Sequence, residues 1–306
     1  MVRVSGPSGV LVVDKPTGKT SHDIVAEARR HFRTRAVGHA GTLDPMASGV
    51  LLLLFGEATK LSGYLTADDK RYRARVSFGR GTDTLDAEGV TTEERSLAPG
   101  WLDSSALEAA LSVERDRRQQ VPPAYSAIKV GGERAHRLSR QGRPPELPAR
   151  DVVVHELEVE AFDDAEATLV LSVSKGYFVR SLARDLSETL GVPGHLTALR
   201  RLASGGFSLE EAVAWPPSTE PRWLTITEAA SRCLPVLELT PAAVVRARQG
   251  KPLSEADFGS PPPSGLAAWV AEGRLVAIGQ AAEAGFFRVV RGFTEHDLSG
   301  PEPSSA

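Results

Sequence analysis

The chain has 306 residues, 41% of them hydrophobic and 25% charged, with a formal net charge of −3. That length accommodates one large domain plus a smaller one, and the composition is that of a globular protein. A single cysteine, Cys233, excludes a disulfide framework and any multi-cysteine metal site, fits a reducing compartment, and reads as a small buried hydrophobe.

The chain opens with "MVRVSGPSGVLVVDKP", which lacks the apolar segment of a signal peptide, and its most apolar run, Val50 to Phe55, is too short to span a bilayer. A soluble, cytoplasmic protein is expected. "GVLVVDKP" predicts a short buried strand closed by a turn. "TSHDIVAEARRHF" predicts a helix with Thr20 or Ser21 as N-cap and Ile24, Val25, Ala28 and Phe32 on one face. Residues 34 to 48 read as a loop. "RYRARVSFG" alternates strictly, with Tyr72, Ala74, Val76 and Phe78 on one side and Arg71, Arg73, Arg75 and Ser77 on the other, which predicts a half-buried strand with a basic outer face.

"DSSALEAALSVERD" reads as a helix, and the region near 115–150 as a Pro- and Gly-broken basic insertion or arm. "DVVVHELEVE" and "ATLVLSVSKG" predict strands leading into "YFVRSLARDLSETLG", a helix with Leu182, Leu186 and Leu190 on one face and Gly191 as its stop. Pro density between roughly 215 and 238 suggests a boundary. Beyond it, "TPAAVVRARQG" is a short helix with Thr240 as N-cap, Pro241 at its first position and Gly250 past its end, and three short strands follow. The expected fold is α+β, with a mixed, largely antiparallel sheet core flanked by helices and a small C-terminal β-barrel of about 55 residues that needs support from its neighbour. The division is 1–235 for the main domain, 236–293 for the barrel, and a disordered tail over 294–306.

The acidic total hides an asymmetry. Residues 15 to 39 hold six Lys/Arg against two acids and residues 112 to 150 hold nine against four, whereas 208 to 306 hold eight against twelve. A basic groove on an acidic protein would produce this pattern, and an RNA partner is therefore permitted.

Several chemistries lack support. "GKT" at 18 to 20 has Val13 where a phosphate-binding loop needs its first glycine; the seven histidines form no metal-ligand pattern; and no GxSxG elbow exists. What stands out is Asp44 in "GHAGTLDPMASGVLLLLFG". Asp-Pro commonly starts a surface turn, but a solvated turn rarely needs Leu43, Met46 and the run "VLLLLF" packed around it. A carboxylate held rigidly against apolar surface has its desolvation and pKa set by the protein, as catalytic acids need. No second acid of equal standing lies nearby, so the chain points to a single-carboxylate site or to none.

"GVLVVDKPTGKTSHDIV", "GHAGTLDPMASGVLLLLFGEATKL", "DKRYRARVSFGRGTDTLDAEG", "QQVPPAYSAIKVGGERAHRLSRQG" and "SKGYFVRSLARDLSETLG" followed by "HLTALRRL" are, in this order, similar to the motifs of the bacterial tRNA pseudouridine-55 synthases of the TruB type. The resemblance covers residues 8 to 205 closely and suggests a PUA-like RNA-binding module in the C-terminal part. It implies an isomerase that converts a uridine in the tRNA T loop to pseudouridine by breaking the N-glycosidic bond, rotating the base and reattaching it through C5. Asp44 is then the obligatory aspartate, acting as a nucleophile or as a base on the ribose, and Arg180 the arginine that pairs with it.

By the same resemblance Tyr72 stacks on the target base and assists proton loss from C5, Leu199 closes on the base from the other side, and His39 wedges into the T loop. Lys19, Lys60 and Lys129, with Arg137 and Arg140, are phosphate contacts. Phe178 departs from the commonest family form, which has Tyr there: the aromatic floor is kept and its hydroxyl lost. The resemblance implies a monomer that binds the tRNA T-arm, with no cofactor, no metal and no membrane partner. Two other readings are an RNA-binding or RNA-folding protein that uses the same groove without chemistry, and an isomerase for a different uridine or a non-tRNA substrate.

Overall fold

The computed structural model describes residues 8–163 and 165–294; the expected disordered tail lies outside the described residues from 295 onward. In chain order the first strands and helices are β1 (Gly9–Lys15), α1 (Ser21–His31), β2 (Val37–Ala40), β3 (Ala47–Phe55), α2 (Ser62–Leu65), β4 (Lys70–Phe78), β5 (Arg80–Thr82) and β6 (Thr91–Glu94). Then come α3 (Ser104–Arg115), β7 (Gln119–Gln120), β8 (Lys129–Val130), β9 (Glu133–Arg134), α4 (Ala135–Arg140), β10 (Arg150–Asp151), β11 (Val154–Phe162) and β12 (Glu166–Val173). The last are α5 (Val179–Thr189), β13 (Gly194–Ser204), β14 (Phe207–Ser208), β15 (Val213–Ala214), α6 (Ile226–Ser231), β16 (Val236–Glu238), α7 (Pro241–Arg248), β17 (Leu253–Ser254), β18 (Ala267–Ala271), β19 (Arg274–Ala281) and β20 (Phe286–Gly292). The mixture of strands and helices is the expected α+β one.

The described residues fall into two compact units, the first made of 8–45, 49–68 and 204–294, the second of 46–48, 69–163 and 165–203. In the first, β1 pairs antiparallel with β3 from Gly9↔Phe55 to Lys15↔Gly49, and β15 adds in parallel to β1. Leu51 to Leu54 are all buried. That is why this strand reads as an unbroken apolar run: both of its faces are covered, so alternation would expose nothing to water. The expected loop over 34–48 is shorter than its composition suggests, because Val37–Ala40 pairs with Leu52–Phe55 as β2. Its Gly, His and Ala carry little strand propensity, and the pairing to a distant strand overrides it.

The C-terminal strands form a five-stranded sheet in the order β16-β18-β19-β20-β17, a half-barrel whose ends meet through a single bridge, Leu239↔Phe258. Alternation along β18 divides two cores. Ala267 and Trp269 join Leu237, Leu253, Phe258 and Ala277 on one face, while Ala268 and Val270 join Val10, Val12, Leu52 and Leu54 on the other. Gly279 is required by this packing, since a Cβ there would lie 2.0 Å from the Trp269 ring. The small sheet thus shares a core with β1 and β3, and burying each large aliphatic side chain there contributes about 1.5–3 kcal/mol that a solitary sheet of this size would lack.

In the second unit four strands run in the order β11-β12-β4-β13, with β11, β12 and β4 antiparallel. On β4, Ala74, Val76 and Phe78 are buried, Tyr72 is half-buried, and Arg71, Arg73 and Arg75 face out. The outer face is not the bare basic stripe the alternation predicts. Glu160 of β11 lies 2.6 Å from Arg73, Glu166 of β12 lies 3.7 Å from Arg75, and Glu156 lies 4.0 Å from Arg71. Each exposed pair contributes only about 0–1 kcal/mol, but together they cancel the local field. The broken basic segment becomes the two-residue strand pairs β7-β10 and β8-β9 and the short α4. No helix among the described residues is long and apolar enough to cross a membrane.

Candidate active site

Asp44 lies in the turn between β2 and β3, and both of its neighbours are gripped. The Leu43 amide donates to Ser21 Oγ at 2.9 Å, and the Pro45 carbonyl accepts from the Gly18 amide at 2.8 Å and from Lys15 Nζ at 3.4 Å. Ser21 and Lys15 are both 0% exposed. Ser21 stands in the first turn of α1, whose N-cap Thr20 forms a capping box with Asp23, so the hydroxyl is placed by a rigid helix start. Lys15 Nζ also donates to the carbonyls of Pro16 at 2.9 Å and Lys19 at 2.6 Å, tying the end of β1 to the approach to α1. A buried ammonium satisfied by several carbonyls is a fixed charge, and it fixes what it touches.

His39, on β2 opposite Leu53, packs edge-on against His22 at 5.2 Å between ring centroids. Lys19 is engaged by Glu27, with bonds of 2.7 and 2.9 Å, and Glu27 also accepts from Trp215 Nε1 at 2.8 Å. The hydrogen bond from Lys19 holds that carboxyl below its usual range. Lys60 pairs with Glu57, donates to the Gly292 carbonyl at 3.2 Å, and lies 5.7 Å over the Phe293 ring. Both lysines therefore have acidic partners within their own unit.

In the second unit Arg180 stands in the first turn of α5, only 7% exposed. Its guanidinium donates to the Thr84 carbonyl at 3.1 Å and the Tyr125 carbonyl at 3.0 Å and lies 3.6 Å from the Asp86 carboxylate. Asp86 is itself buried and accepts from Thr84 Oγ1 at 2.6 Å and the Glu88 amide at 3.1 Å. Phe178 caps α5 and is half-buried; Tyr72 and Leu199 lie on the neighbouring strands β4 and β13. Lys129 is exposed on the β8-β9 hairpin, beside the exposed Arg134, Arg137, Arg140 and Arg143. Among the described residues no group of three or more His, Cys, Asp or Glu is placed to hold a metal ion.

The family described as TruB family pseudouridylate synthase, N-terminal domain, matches residues 29–179. A tRNA pseudouridine synthase B from Mycobacterium sp. (strain KMS) is 46% identical over 254 residues, which cover 81% of this chain and 85% of that protein. One from Thermobifida fusca (strain YX) is 42% identical over 281 residues, covering 89% and 94%. The chain belongs to the TruB family of pseudouridylate synthases. The crystal structure of a Cbf5-Nop10-Gar1 complex matches with a TM-score of 0.72 at 23% identity, over 95% of this chain and 86% of that one, which shows the shared fold.

In this TruB-family chain the structure adds residues that sequence reasoning missed. Ser21 is one of two N-cap candidates in the sequence, and Lys15 and Asp86 are not singled out by it. The available signal was positional: Lys15 and Asp14 close a strand that is apolar up to Val13, and a charge there is either exposed or given a full set of acceptors. Which of the two holds is decided by the Lys19 carbonyl nearby and by the Pro45 carbonyl, which comes from another part of the chain.

Proposed function

We infer that this protein is a tRNA pseudouridine synthase acting on the T-loop uridine at tRNA position 55, with Asp44 as its catalytic carboxylate. The observation that carries the reading is the immobilised turn around Asp44 in a chain of this family. A carboxylate whose neighbours are held by Ser21, Gly18 and Lys15 is presented in one position, and preorganisation of that kind is what bond cleavage requires. As a nucleophile, Asp44 adds to the ribose C1′ as the bond to N1 breaks, and is displaced when C5 of the rotated uracil attacks. As a base, it takes a ribose proton and returns it. Either way the C5 proton is lost and N1 gains one, so the product is an isomer and no redox partner or group donor is consumed.

Arg180 takes the part of the family arginine in the reaction, and in the structure its guanidinium is held beside Asp86. Its burial and its carbonyl partners support that role, because a guanidinium so held does not wander into solvent. Tyr72 and Leu199 contact the extruded base, Phe178 forms an aromatic floor, and His39 enters the T loop. Lys129 and the arginines around it meet phosphates, and Lys19 and Lys60 do so by exchanging their present acidic partners. The half-barrel over 236–293 serves as a PUA-like RNA-binding module in a monomer, and the protein works in the cytoplasm on tRNA. The decisive experiment is incubation with an unmodified T-arm stem-loop and nucleotide-level mapping of pseudouridine. Product at the single expected uridine supports the reading; RNA binding without product favours an RNA-folding protein, and product elsewhere a different substrate.

A further inference from the structure

Helix α5, which carries Arg180, starts at Phe178 with no side chain of its own closing the first turn. The amides at a helix start have no partners within the helix, so they must be met from elsewhere. The Phe178 amide donates at 2.9 Å to Oε1 of Gln120, on β7, a side chain only 2% exposed. The following residues continue the attachment. Ser181 Oγ and Arg184 Nη2 donate to the Val121 carbonyl at 2.9 and 3.0 Å, and Arg180 Nη2 donates to the Tyr125 carbonyl at 3.0 Å. Gln120 is the one member of this set that grips the backbone of α5 with a side chain.

Filling space does not account for Gln120. Its Nε2 lies against the Tyr177 hydroxyl, both are buried, and neither makes a hydrogen bond of good geometry. Burying an amide half-satisfied costs stability that a leucine of similar size would not forfeit. The unmet cost points to a task for the other half. We propose that Gln120 is a positioning residue for the isomerisation: by holding the Phe178 amide it sets where α5 begins, and with it where the Phe178 ring and the Arg180 guanidinium are presented. The inference rests on the catalytic reading above for Arg180, and it assigns Gln120 no contact with RNA.

The test compares the unmutated protein with Gln120→Leu, which keeps the volume and loses the acceptor, and Gln120→Glu, which retains an oxygen at that place; Gln120→Met replaces the leucine variant if that one does not fold. Single-turnover pseudouridine formation on a T-arm hairpin, hairpin affinity, and amide hydrogen exchange of the peptide over 177–190 are measured for each. Gln120→Leu is expected to slow the single-turnover step at least ~30-fold, with affinity within about threefold and faster exchange at the start of α5. Gln120→Glu is expected to recover most of the rate. A leucine variant whose rate stays within about threefold, or falls only as its affinity falls, overturns the inference, as does unchanged exchange. An unmutated protein that makes no pseudouridine in hairpin or full tRNA, with the exchange difference intact, overturns the isomerase reading instead and leaves Gln120 as the anchor of α5.

Discussion

The amide of Leu43 and the hydroxyl of Ser21 meet at 2.9 Å across 22 residues of chain, inside a region from which water is excluded. The same hydroxyl turns back toward the Leu43 carbonyl at 3.3 Å. One small side chain at a helix start therefore satisfies both backbone groups of the residue before Asp44. Ser21→Ala leaves the Leu43 amide buried and unpaired, which costs about 1–3 kcal/mol. The expected outcome is a lowered midpoint in urea unfolding together with a turnover loss of about tenfold or more, because the turn is free to shift. Equal activity in the folded alanine variant would show that the turn is held by other means.

Lys15 is expected to be less replaceable. Lys15→Met preserves the length and apolar stem but removes the ammonium from three carbonyls, those of Pro16, Lys19 and Pro45. Those acceptors are part-buried and lose their charged donor. Each acceptor left unpaired costs up to about 1–3 kcal/mol, and three together are a large share of the stability of an ordinary domain. Thermal unfolding and expression in soluble form are the measurements, and a variant that melts within a few degrees of the parent would mean that the carbonyls are solvated after all.

How much of this was legible in the sequence depends on how local each determinant is. Helix α5 ends as its sequence predicts, with Leu190 as C-cap and Gly191 at φ +71°, and α7 begins at Pro241 after Thr240, because caps and stops are written within a few residues. The alternation of β4 holds for the same reason. Strands β2, β16 and β17 were not legible, since two to four residues carry too little pattern and their existence depends on partners far along the chain. The outer face of β4 shows the same limit in electrostatics: its arginines are visible locally, whereas Glu160 and Glu166 reach them only through strand register. At the site, Asp44 could be singled out by its apolar setting, but Lys15, Asp86 and Gln120 are identified only by which carbonyls, guanidinium or amide they meet.

The His195 imidazole gives a pH dependence of known sign. It is buried, with Nδ1 2.8 Å from the Arg80 carbonyl and Nε2 3.2 Å from Arg80 Nη2, so the neutral ring donates through one nitrogen and accepts through the other. Burial pushes its pKa below the ordinary 6.5, and the Arg80 charge acts in the same direction. Above about pH 6.5 the ring is neutral in folded and unfolded chains alike. Below it, the unfolded chain takes up a proton that the fold resists, so stability falls as pH falls toward the depressed folded value. Urea unfolding at about pH 7.5 and about pH 5.5 should show this loss in the parent, and a smaller one in His195→Gln. An equal loss in both proteins would assign the acid sensitivity to other groups.

The exposed arginines between β8 and residue 143 should act on binding and leave chemistry alone. Replacing Arg137, Arg140 and Arg143 by Ala removes three charges, and Arg137 has only a distant partner in Glu133 at 3.9 Å. If all three meet phosphates, the slope of log affinity against log salt should flatten by about two, from ~0.7 per contact. The single-turnover rate at saturating RNA should stay within a few-fold of the parent. An unchanged slope would place the phosphate contacts elsewhere on the protein.

Asp44→Asn separates binding from chemistry. The substitution preserves volume and hydrogen-bonding capacity, and the clamps at Leu43 and Pro45 act on backbone atoms that asparagine leaves intact. What disappears is the negative charge, and with it both the nucleophile and the base that glycosidic cleavage could use. Turnover should therefore be undetectable after long incubation, while tRNA affinity equals or slightly exceeds that of the parent, since on the proposed reading the lost negative charge is one that repels the RNA backbone. Activity within about tenfold of the parent, a change of only ~1.4 kcal/mol in the barrier, would show that another group does the chemistry. Joint loss of binding, activity and thermal stability would instead make Asp44 a structural turn residue, because a carboxylate needed only to hold the chain has no reason to spare affinity when it is neutralised.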